Sequence, residues 1–152
     1  MNTRNRPVSG LPLPVLVLLA LLAAPRVVLH DLGIIHEGTF VNALFVFAPP
    51  LVWIIVVLWR RVPNPFLTLV VVGLLYGVVL MLGHQLLWHL AWEGEAPRLG
   101  GALADLSPMV QQVILRGFAA LSSLVTGTIV GAIGGLIAWA VSKALPESTR
   151  TG

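Results

Sequence analysis

The stretch AALSSLVTGTIVGAIGG, residues 119–135, carries a small side chain at every fourth position: Ala119, Ser123, Gly127, Gly131 and Gly135. On a helix a four-residue step stays on one face and drifts slowly around it, so these positions form a narrow row without bulk. Half of the residues between them are large and apolar, and they do not alternate with polar ones as barrel strands would. A helix with a small-residue row is a helix built to be approached closely by another in lipid. A shorter version, Gly73 and Gly77, lies in the segment before it.

The rest of the chain agrees that lipid is its solvent. Of 152 residues 57% are hydrophobic and 10% charged, with a mean hydropathy of +0.95. Soluble domains carry about 25% charged residues, so this composition cannot clothe a water-exposed surface. Four apolar segments stand out, at about residues 11–30, 40–59, 65–92 and 108–144. Each is long enough to cross a hydrocarbon core about 30 Å thick. The expected fold is all-α, a four-helix transmembrane bundle forming a single domain over residues 1–152.

Local chemistry marks the segment ends. Asn64-Pro65 and Ser107-Pro108 each pair an N-cap residue with proline at the first helical position, and Pro146 stops the last helix. Pro25 is expected to bend the first span late, and Pro49-Pro50 to break or kink the second near its middle. Arg4 and Arg6 before an apolar run imitate a signal peptide, but Pro25 is poor just after a cleavage site. The first segment is therefore read as an uncleaved span.

Basic residues set the expected orientation. Arg4, Arg6, Arg60, Arg61, Lys143 and Arg150 fall on one side, against Arg26, Arg98 and Arg116 on the other. The bias places both termini in the cytoplasm. Eight arginines against one lysine fit a GC-rich bacterial genome, hence a multi-pass protein of a bacterial inner membrane. Scattered basic residues make no phosphate-binding patch, so nucleic acid is not an expected partner. With no cysteine, thiolate chemistry is excluded.

Nothing in the sequence carries an enzyme motif: there is no phosphate-binding glycine loop, nucleophile elbow or His-Glu-x-x-His. The acidic residues Asp31, Glu37, Glu93, Glu95 and Asp105 lie toward one side rather than at mid-membrane, unlike the buried carboxylates of proton-coupled carriers. Arg116 and Lys143 read as snorkelling anchors at the two ends of the last helix. Arg26 is less easily placed; Asp31 or an outer-loop carboxylate is its expected partner.

All four histidines gather on the outer side. Counted along helices, His84 lies about 30 Å from Asn64, and His30 about 28 Å from Leu11. His84 follows Gly77 by seven residues and so shares the inward, glycine-lined face, whereas His89 is turned about 140° away. His84 with His30 or His36, and Asp31 or Glu37, has suitable types for zinc or copper, and two opposed imidazoles suit haem. The alternative is that interfacial histidines and tryptophans meet headgroups and water, with His84 hydrogen-bonded across helices. No ligand spacing decides between these. The reading best supported by sequence is a small membrane protein acting by association, as an accessory subunit of another membrane protein or a homo-oligomer. A metal or haem protein, and an oligomeric channel or transporter, are its alternatives.

Overall fold

The structure, a computed structural model, describes residues 10–92 and 97–144. Arg4, Arg6, Glu93, Glu95, Pro146, Glu147 and Arg150 lie outside the described residues. The described chain is helical throughout: α1 (Leu13–Leu21), α2 (Ala24–Asp31), α3 (Phe40–Trp59), α4 (Pro65–Leu86), the single turn α5 (Trp88–Ala91), a 3-10 turn (Gly101–Leu103) and α6 (Pro108–Ala144). With α1 and α2 taken together, four helical segments are long and apolar enough to span a membrane. The chain is a multi-pass membrane protein by that measure.

Side-chain caps open two helices, the first of them the one expected at Asn64-Pro65. Asn64 Oδ1 accepts the Leu67 N–H at 3.0 Å, with Pro65 opening α4, and Thr39 Oγ1 accepts the Asn42 N–H at 3.3 Å at the head of α3. These bonds satisfy donors that have no partner in a helix's first turn.

The first span is interrupted rather than bent. Its helix stops at Leu21 and restarts at Ala24, leaving Pro25 in the first turn of α2, where its missing N–H costs nothing. The Trp53 indole N–H, fully buried on α3, donates to the Leu19 carbonyl at 2.7 Å and supplies a partner to the interrupted end. Of the break or kink expected in the second span, the break does not occur: α3 runs continuously through Pro49 and Pro50. In lipid a chain that leaves helical geometry frees still more backbone groups, so the flanking turns hold it. The third segment ends sooner than its hydropathy suggests. α4 stops at Leu86, Leu87 turns at φ −90° and ψ 4°, and α5 follows. That turn leaves Trp88 buried, with the Arg116 guanidinium 5.2 Å above its ring.

The most extensive pairing in the bundle is α4 against α6, and small residues make it possible. A Cβ added to Gly127 would strike the Gly77 nitrogen, and one added to Gly131 the Leu69 carbonyl. One on Gly77 would sit 2.9 Å from Leu124 Cα, and one on Gly135 2.8 Å from the Phe66 carbonyl oxygen. The reciprocal position, Gly73, meets the Gly127 carbonyl and Gly131. The rows read from the sequence therefore face each other within one chain. Towards the N-terminus of α6 the link changes character: Gln85 Nε2 spans to the Arg116 carbonyl at 3.0 Å, a gap bridged by a whole side chain rather than closed by backbone.

Two ends of the bundle can be distinguished. One holds Gly10 against Val62 and Pro63 of the α3–α4 turn, with the Phe66–Gly135 contact nearby. The other, the histidine end, collects the C-termini of α2 and α4, α5, and the N-terminus of α6. There Gln111, buried in the first turns of α6, holds the incoming segment. It accepts the Leu99 N–H at 2.9 Å and donates to the carbonyls of Ala104 at 3.0 Å and Leu106 at 2.8 Å.

Candidate functional site: a polar cleft at the histidine end

Three helices contribute residues four apart, and each such pair or triplet shares one helical face. From α2 come Arg26 and His30, from α4 Tyr76, Leu80 and His84, and from α6 Ala119 and Ser123, with Ser122 and Thr126 beside them. Together with Asp31 and the apolar side chains of Trp88, Leu90, Trp92 and Phe118, they line a cleft of about 670 Å³. That volume lies within the roughly 300–1,000 Å³ range of small-molecule sites.

Asp31 is the pivot of one wall. Its side chain is only 6% exposed, and each carboxylate oxygen faces an imidazole. Oδ2 lies 2.7 Å from His84 Nδ1 of α4, and Oδ1 lies 3.6 Å from His30 Nδ1. The short contact crosses between the first and third spans, and gives a buried carboxylate the charge-assisted partner it requires. A carboxylate on Nδ1 orients the ring and leaves Nε2 as the nitrogen available to other partners. His30 reaches outward as well, its Nε2 being 3.7 Å from the exposed Glu37.

Arg26 comes from the same helix as His30, one turn earlier. Its Nε donates to Asn42 Oδ1 of α3 at 3.2 Å, and Tyr76 lines the same cleft. Asn42 is neutral. The expected pairing with Asp31 is absent: that carboxylate is taken by the histidines, and among the described residues no carboxylate lies within 4 Å of Arg26. On α6, the Ser123 hydroxyl donates to the Ala119 carbonyl at 2.8 Å, so its proton is satisfied within its own helix.

The structure sorts the candidate ligands of the sequence reading. His84 and His30 meet on one carboxylate. His36 does not join them: it sits exposed in the α2–α3 turn, where its backbone carbonyl accepts from Thr39. His89 lies outside the cleft, with Nε2 3.5 Å from Arg116. Among the described residues no group of three or more His, Asp or Glu side chains is placed to hold a metal ion. Chemically, the cleft offers a cation, an oriented imidazole, several hydroxyls and an aromatic wall.

Tyr76 is a contributor that sequence reasoning left unassigned, although it had a usable signal: it precedes His84 by eight residues and so lies toward the same side of α4. Asn42 was legible as one of the few polar residues inside a span, able to hydrogen-bond between helices, but its partner Arg26 was not. No protein-family model matches the chain, and no curated protein or solved structure is detectably similar to it.

Proposed function

We propose that this protein binds a small ligand in the cleft between α2, α4 and α6, and that the cleft faces the outside of a bacterial inner membrane, with both termini cytoplasmic. The orientation rests on the Lys/Arg bias, six basic residues at the Arg60–Arg61 side against three at the histidine side. The observation that carries the binding reading is the cleft itself. Polar and ionisable groups inside membrane spans are expensive to keep, and here they converge from three helices on one space large enough for a ligand. The small-residue row does not compete as an explanation for the chain's purpose. α4 covers it from Ser123 to Gly135, so the surface that suggested association with another subunit is already spent within the chain.

Ala119 lines the cleft and is neither buried nor part of the tight α4–α6 contact, so Ala119→Trp fills the space while sparing the fold. Native mass spectrometry of protein released from membranes should show a retained small-molecule adduct, which Ala119→Trp loses. A wild-type protein that carries no adduct, and whose thermal stability no amphiphile raises, would remove the binding reading and return association to first place.

A further inference from the structure

Resting on the binding reading, we infer that the cleft takes an amphiphile with a single oxyanion head, a phosphate or carboxylate, and that Arg26 holds that head. Arg26 belongs to the first membrane-spanning segment, Leu13–Asp31. A guanidinium cannot shed its charge in proteins, so at this depth it needs either an anion or water. Its described hydrogen-bond partner, Asn42, is neutral. With Nε committed to Asn42, the two Nη groups remain for a ligand. Their forked geometry matches the paired oxygens of a phosphate or carboxylate.

Asp31 also lines the cleft and would repel an anion, but its charge is covered. It is 6% exposed, with His84 Nδ1 on Oδ2 at 2.7 Å and the His30 ring 3.6 Å from Oδ1. What the cleft presents to a ligand from this wall is imidazole rather than carboxylate. The other requirement is a place for a tail. Leu80, Trp88, Trp92 and Phe118 supply an apolar wall to the same space. The indole N–H of buried Trp88 has no acceptor among the described residues, so this wall also keeps an unused donor. A cation and an aromatic, aliphatic surface lining one cleft suit an amphiphile better than a free inorganic ion.

The test is a titration of the full-length protein in phosphatidylcholine nanodiscs, followed by isothermal calorimetry, with octyl phosphate, octanol and inorganic phosphate. Octyl phosphate should bind at least about tenfold more tightly than either other probe, the difference that one charge-assisted bidentate contact supplies. Arg26→Gln should abolish that preference, Arg26→Lys should restore part of it, and His89→Ala, outside the cleft, should leave it intact. Repeating the titration with phosphatidylglycerol in the discs separates the sources. Competition marks a membrane lipid as the natural occupant, and unchanged affinity marks a free amphiphile; both outcomes retain the oxyanion head. If octanol binds as tightly as octyl phosphate, or Arg26→Gln binds both as wild type does, the oxyanion inference is wrong while the cleft remains a binding site. If none of the three probes binds, both readings fall together.

Discussion

At the scale of single residues, this membrane bundle is organised by a few polar side chains whose partners are distant in sequence. Trp53 is the clearest case. Its indole, fully buried, reaches across thirty-four positions to the carbonyl of Leu19 at 2.7 Å, where the first span is interrupted. Leu19 also accepts from the Leu22 N–H at 3.2 Å, so losing the tryptophan does not strand that carbonyl. Trp53→Phe should therefore cost about 1 kcal/mol, at the mild end for a buried hydrogen bond, together with some lost packing. A thermal unfolding midpoint a few degrees lower in detergent, with the helical content unchanged, is the expected reading. Residue types told part of the story in advance. Depth counting placed His30 and His84 at one level, and the structure joins them through Asp31. The sequence reading grouped Asp31 with those histidines but also offered it to Arg26, which the structure pairs with Asn42 instead, because the rotation of one helix against another is not written in hydropathy.

Among the elements, α4 and α6 decide the packing, and their glycines differ in a way that invites a paired experiment. Gly131 leaves no room for a methyl group against the Leu69 carbonyl, whereas a Cβ on Gly117 meets nothing within 4 Å. Gly131→Ala should force two backbones apart and lower stability in detergent. Gly117→Ala should be neutral or stabilising by up to about 1 kcal/mol, the helix propensity that alanine gains over glycine. Equal effects from the two would mean that α4 and α6 do not pack through their small residues. The starts of α4 and α6 were legible because a proline at the first helical position marks each of them chemically. The interruption at Leu87 was not, since no proline or glycine stands there and apolar character continues through Trp92. Pro49 and Pro50 pointed to a break or a kink, and no break occurs, because the cost of exposing backbone groups to lipid opposes it.

For the whole molecule, composition alone dictated four spans in lipid, and the structure contains four helical segments of suitable length and hydropathy. Orientation is a separate matter, argued from charge. Reporter fusions at residues 62, 97 and 150 should report inside, outside and inside; an outside C-terminus would reverse the proposed direction of the cleft. The central claim is that polar groups from three spans enclose a water-accessible binding space open to that outer side. The chain contains no cysteine, so a single introduced thiol reports its own surroundings. Ser122 lines the cleft, whereas Val125, on the same helix, is exposed but lines no part of it. The most direct measurement is the labelling of Ser122→Cys and Val125→Cys in intact cells by a membrane-impermeant maleimide, which reacts with thiols in water and not in lipid. The account predicts rapid labelling of Ser122→Cys, slowed by octyl phosphate, and none of Val125→Cys. Equal inertness of the two thiols would contradict it.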